Sequence, residues 1–250
     1  MIGTTTAAAL PASRPKGRRS KDMPDGRQAL LIAATEAFAN LGFDGADLRS
    51  VAAAAGVAPN LVRVHFGNKA ALWEACLDRI VTLAVPAMAE VHAIAHDASR
   101  SLGDRLRALI IRVATFYAAY PEVRNFVVRR GAESPERATL VTERLLRPAY
   151  ETARALFQAG IEAGIIRSQH PALFFALLNA ALDQPPAFPM LLTRIAPEID
   201  AETAWAQLLD TTIASLLHLP PAQAGGESAA GDGPRRDSRP GHPFNLPVRE

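Results

Sequence analysis

Cysteine is almost absent from this 250-residue chain: Cys76 stands alone. One thiol cannot close an internal disulfide, and it excludes a zinc site built on cysteines. Aromatic residues are scarce too, at 6%. No charged segment leads into a long apolar run near Met1. The most apolar stretch, 172–182, is too short to span a bilayer. A soluble, cytoplasmic protein with no membrane partner is therefore expected. Catalytic signatures are also lacking. There is no Walker loop, no G-x-G-x-x-G after a strand and no G-x-S-x-G elbow, and no Ser/His/Asp set stands out. Neither enzyme activity nor a cofactor is expected.

What is present favours helices. Hydrophobic residues make up 49% and charged residues 21% of the chain, the balance of a globular protein. Much of the apolar content is alanine, the strongest helix former, so the fold class is read as all-α. Charge is nearly balanced, with 27 Lys and Arg against 25 Asp and Glu, but it is unevenly placed. In the first 27 residues Arg14, Lys16, Arg18, Arg19, Lys21 and Arg27 outnumber Asp22 and Asp25. Residues 1–25 read as a basic arm, either solvated or lying along phosphates or in a minor groove. From Pro220 to the end, six prolines and five glycines fall among 31 residues with no apolar period. This tail, 220–250, is expected to be disordered.

Between these ends, apolar spacing predicts a run of helices. Over 27–41, Leu30, Ala34, Ala37, Phe38 and Leu41 share one face, and Gly42 stops the helix. Asp47 can cap a second helix carrying Leu48, Val51, Ala52 and Ala55 inward. Gly56 turns the chain and Val57 points back to the core. Pro59 suits the first position of a short third helix with Val62 and Phe66 buried. Asn68 can cap a fourth helix that starts at Lys69 and carries Leu72, Trp73, Leu77 and Ile80. Two short helices joined by a glycine turn fit a helix-turn-helix, and equally any small helical bundle.

The residues themselves add a resemblance. Arg27, Leu30, Leu31, Ala33, Ala34, Phe38, Gly42 and Phe43, then Val51, Ala52, Ala55, Gly56 and Val57, then Leu61, Val62, His65, Phe66, Gly67, Asn68, Lys69 and Leu72 keep the order and spacing of the N-terminal domain of TetR-family transcriptional regulators. The chain resembles that family over about 27–80. The resemblance implies a three-helix, homeodomain-like DNA-binding domain over 26–80. A larger helical domain for effector binding and dimerisation would cover 81–219. The implied partners are a double-stranded DNA operator, a small-molecule effector and a second copy of the chain. By the same resemblance Pro59, Asn60, Arg63 and Val64 face the major groove, while His65 and Lys69 hold phosphates. Asp47 and Arg49, at the start of the second helix, complete the implied DNA-binding set. The sequence departs from the family at three positions. Arg63 replaces a common tyrosine and could read guanine or grip a phosphate. Asp47 replaces a Ser or Thr cap, and Ala58 replaces the usual Ser before the third helix. Asp47 and Ala58 are the only support for a different reading, a helical small-molecule-binding or scaffold protein that has lost DNA binding.

Beyond position 80 the expected helices cover about 102–119, a short stretch to about 130, then 136–164, 172–183 and 200–217. The resemblance implies an internal cavity here. Candidate lining residues are Phe116, Tyr117, Phe126, Tyr150, Phe157, Phe174 and Phe175, with Asn179 and Asp183 as polar groups. It also implies pairing of the last two long helices with a partner. Leu173 and Leu177 in the first, and Trp205, Leu209, Ile213 and Leu216 in the second, form apolar stripes assigned to that interface. His92 and His96 have the i, i+4 spacing of metal ligands but no evident third ligand, so no metal site is expected. Cys76 reads as a small buried hydrophobe.

Overall fold

The computed structural model describes residues 25–129, 133–184, 188–200 and 202–219. The expected basic arm, apart from Asp25, and the tail from Pro220 lie outside the described residues. Every regular element among the described residues is helical. In chain order they are α1 (Gly26–Gly45), α2 (Leu48–Ala54), α3 (Asn60–Phe66), α4 (Lys69–His96), α5 (Leu102–Ala119) and α6 (Pro121–Arg129). Next come α7 (Pro135–Val141), a π-helical segment (Thr142–Leu146) and α8 (Arg147–Glu162). The order closes with α9 (Pro171–Ala181), α10 (Phe188–Ile195) and α11 (Ala204–Leu216). None is long and apolar enough to cross a membrane.

Local chemistry explains most of the boundaries. The Asp25 carboxylate accepts from the Gln28 N–H and starts α1. Within α1, Gly42 leaves the helical region at φ 75° and ψ 177°, a conformation nearly reserved for glycine. The turn it makes leaves Leu41 exposed, contrary to its expected inward place. Gly42→Ala should lower stability by about 1–3 kcal/mol in a denaturant titration; an unchanged midpoint would mean that the turn relaxes freely. Asp47 caps α2 and Asn68 caps α4, each through a 2.9 Å bond to a backbone N–H three residues on. Pro59 stands one position before α3 rather than at its first residue, and no side chain caps that helix. Position 58 holds alanine, which has no hydroxyl to offer.

Two helices contain a proline that apolar spacing alone does not register. Helix α4 runs unbroken for 28 residues, through Pro86 and across position 80. Pro86 sits on an exposed face and gives no N–H to the carbonyl one turn back. The expected helix over 136–164 is interrupted by the π segment. There Arg147 N–H donates to the Thr142 carbonyl, five residues back. Pro148 follows at once, so the widened turn falls where a proline ring would press on the preceding turn. Helix α10 is a further finding, for no helix was expected between 184 and 200.

Helix α1 lies against α2, α4 and α6; α4 in turn packs on α5 and α8; α9 covers α8 and α11 covers α5. One continuous core runs from Leu30 and Phe38 through Leu72, Leu77 and Ile80 to Leu106, Phe157 and Ile213. This packing corrects part of the expected subunit interface. Leu209, Ile213 and Leu216 are buried inside the chain, with Ile213 only 1% exposed, and Trp205 packs half-buried against the same core. Their stripe is used up on the chain's own helices. On α9, by contrast, Leu173 is 58% and Leu177 is 55% exposed.

Candidate nucleic-acid interface and ligand cavity

Helix α3 is anchored from beneath and open above. Val62 is buried, and Leu61 and Phe66 are half-buried on the core. The opposite face carries Pro59, Asn60, Arg63, Val64 and His65, all exposed. Val64 is 69% exposed, an apolar side chain with nothing over it. Beside α3, Arg49 and Asp47 at the start of α2 are exposed as well. The Asp47 carboxylate is already committed. It accepts from the Ser50 N–H and the Ser50 hydroxyl, each at 2.9 Å, and these bonds hold it below the usual carboxylate range. It serves the helix, and it withdraws the Ser50 proton from any phosphate.

Lys69 sits at the first position of α4, half-buried rather than free. Its Nζ donates to the Asp44 carbonyl at 3.3 Å and lies 4.9 Å from the centre of the Phe43 ring. Arg27, at the start of α1, places its guanidinium 5.1 Å over the ring of Phe66, the last residue of α3. Lys69 and Arg27 thus both stand toward the C-terminal end of α3, and the exposed face itself carries Arg63 and His65.

The second feature is a cavity of about 80 Å³ enclosed by α4, α5, α6, the π segment, α8 and α9. Five of the nine expected lining residues meet there: Phe116, Tyr117, Phe157, Phe175 and Asn179. Tyr150, with Phe175 and Asn179, lines an adjoining open pocket of about 440 Å³. The other three do not line the cavity. Phe126 packs against Trp73 at 6.1 Å, on the side of α6 that meets α4. Phe174 stands edge-on to Phe157 at 5.0 Å, as core packing. Asp183 lies past the end of α9, 3.7 Å from the Arg124 guanidinium; burial raises its carboxyl, and Arg124 partly offsets that rise. Residues absent from the sequence reading also wall the cavity, among them Ala84, Ala87 and Val91 of α4 and Arg112 of α5. The alanine-rich stretch of α4 was the available signal, since small side chains leave room.

A set of polar contacts joins these two regions, and those that cross between them pair residues far apart in sequence. Asn125 of α6 donates to the Asn40 side chain of α1 at 2.9 Å. Glu133 accepts from the Phe43 N–H at 2.9 Å, and Arg137 of α7 lies 3.7 Å over the Phe43 ring. Arg124 donates to Asn125 and to the Gln184 carbonyl. Elsewhere, the His92 and His96 rings lie 4.1 Å apart on exposed α4. No group of three His, Cys, Asp or Glu among the described residues could hold a metal ion. The Cys76 thiol is fully buried, and burial pushes its pKa up to about 12.

Residues 30–76 match the family model described as bacterial regulatory proteins, tetR family. No curated protein sequence matches the chain. Among solved structures, HlyIIR, a hemolysin II transcriptional regulator, superposes with a TM-score of 0.56 at 16% identity, over 76% of this chain and 96% of that one. A TetR-like transcriptional regulator from Rhodococcus sp. RHA1 gives 0.50 at 21% identity, over 75% and 93%. At such identities the likeness is one of fold, and it extends through both helical regions. The matched residues hold the exposed α3, its buried anchors and the caps of α2 and α4, and they form a helix-turn-helix domain of the TetR-family type.

Proposed function

We propose that the protein is a repressor that binds a palindromic operator as a two-fold dimer and leaves it when a small molecule enters the cavity. The observation that carries this reading is the course of α4. Its first turns carry Leu72 and Trp73 into the core of the DNA-binding domain beside α3, and its later turns set Ala84, Ala87 and Val91 on the cavity wall. One helix about 42 Å long therefore touches both regions. A ligand that fits the cavity better when α4 is tilted shifts the population away from the DNA-competent dimer. The exposed Leu173 and Leu177 of α9, with Leu191 and Ile195 of α10, supply an apolar surface for the second copy.

Selection of bound duplexes from a random pool with the full chain tests the reading. A two-fold symmetric motif with half-sites about one helical turn apart, roughly 34 Å, is expected. Failure to enrich any motif would favour a helical ligand-binding protein without DNA binding.

In this scheme Asn60 and Arg63 read bases, and Lys69 and His65 position the backbone. Asn60→Ala or Arg63→Ala should cost about 1–3 kcal/mol on the selected site and relax one or two positions of the motif. Lys69→Ala should weaken specific and non-specific DNA alike and reduce the salt slope by about one. An unchanged motif for both α3 variants would move base recognition elsewhere, and an unchanged slope would remove Lys69 from the phosphate set.

A further inference from the structure

The chemistry of the cavity wall narrows what can occupy it. The wall is aliphatic and aromatic apart from Arg112, Tyr117, Thr152 and Asn179. Arg112 is its only charged residue, and that charge is already matched. Its Nη2 donates to Glu90 Oε1 at 3.0 Å and its Nε donates to Glu90 Oε2, so the guanidinium is held in a two-point pair from the solvent side. No carboxylate lines the wall. The Thr152 hydroxyl donates to the Pro148 carbonyl. A charged ligand would lose its hydration here and meet no unmatched opposite charge.

Asn179 has capacity to spare. Its Oδ1 accepts from the Tyr117 hydroxyl at 2.6 Å and its Nδ2 donates to the Phe175 carbonyl at 2.8 Å. Among the described residues, these bonds use one of its two amide protons and one of its two oxygen lone pairs. A donor and an acceptor on one amide suit a hydroxyl, which both gives and accepts a proton. Asn179 also lines the open pocket, as do Phe175, Leu146 and Val127, so these side chains form the partition between the two spaces. The outer pocket, at about 440 Å³, falls within the 300–1,000 Å³ range of small-molecule sites, whereas the inner one is too small for such a ligand unless the partition moves.

We infer that the ligand of this cavity is an uncharged, largely apolar molecule carrying one hydroxyl, which enters past Phe175 and anchors that hydroxyl on Asn179. The inference rests on the effector reading above, but binding and DNA release are measured separately, so either can fail alone. The probes are naphthalene, 1-naphthol and 1-naphthoate, one ring system with no polar group, a hydroxyl or a carboxylate. They are titrated calorimetrically into the full chain at neutral pH. The expected order is naphthol tightest, naphthalene about tenfold weaker and naphthoate at least about a hundredfold weaker. Asn179→Leu should bring naphthol down to the affinity of naphthalene and leave naphthalene unchanged. Glu90→Gln strips Arg112 of its partner from outside the wall, and naphthoate should then gain about tenfold. Naphthoate binding as tightly as naphthol to the wild-type chain, or no binding by any probe, would overturn the inference whether or not the Asn179 variant folds. Naphthol binding in the expected order without loss of DNA binding would leave the cavity chemistry standing and remove the release mechanism.

Discussion

Leu177→Asp should convert the protein to a monomer and weaken operator binding by at least about a hundredfold, while its helix content stays unchanged. Leu177 is 55% exposed on α9, beside Leu173 at 58%, so a carboxylate there remains hydrated in the separate chain. In a two-fold dimer the same substitution appears twice across one axis, and two like charges are brought together out of water. Losing the dimer removes the advantage of two linked half-site contacts, typically about 10²–10⁴ in affinity. Ile213→Asp provides the contrast. Ile213 is 1% exposed in the core under α11, so the charge should unfold the chain rather than divide a dimer. Sedimentation and circular dichroism on both variants separate the two outcomes. A Leu177→Asp protein that stays dimeric, or a wild-type monomer with full operator affinity, would exclude α9 from the interface.

A large loss of stability is expected from Trp73→Ala, about 3–5 kcal/mol. Trp73 is 2% exposed where α4 passes between the DNA-binding domain and α6, and its ring lies 6.1 Å from that of Phe126. Truncation would open a void between the two regions that neither can close, because Asn125 on Asn40 and Glu133 on the Phe43 N–H hold α6 and the chain before α7 against α1. Trp205, the other tryptophan, remains as the fluorescent reporter in a urea titration. A shift below about 1 kcal/mol would show that α4 and α6 repack without it.

Sequence reading succeeds here where a local rule governs the outcome. Helix α5 ends as its spacing and Tyr120-Pro121 require, Gly42 breaks α1, and Asp47 and Asn68 cap the helices they precede. The same reading fails where the answer depends on what lies opposite. Leu209 and Ile213 repeat at helical intervals, and that spacing shows a face to be buried without saying whether α5 or another chain buries it. Phe116 and Phe126 are equally apolar and aromatic, yet one lines the cavity and the other packs on Trp73. Arg124, Asn125, Glu133 and Arg137 gave no signal, since their partners stand 60 or more residues away or become visible only once Phe43 is in place. The π segment was hidden because apolar spacing over 136–164 does not register Pro148, which sits just after it.

Pro86 divides α4 into arms of unequal length. Seventeen residues separate it from Lys69, a reach of about 26 Å. The missing rung at Pro86 is the softest point of the rod, and it lies between two cavity-wall residues, Ala84 and Ala87. Bending there by 5° swings the Lys69 end through about 2 Å. Polar contacts fail with much smaller errors, since a hydrogen bond near 2.9 Å has little strength left beyond about 3.5 Å. In the proposed release mechanism the long arm would act as a mechanical amplifier, and a ligand would need to displace the cavity wall by only a fraction of an ångström to put the α3 end out of register with a rigid duplex.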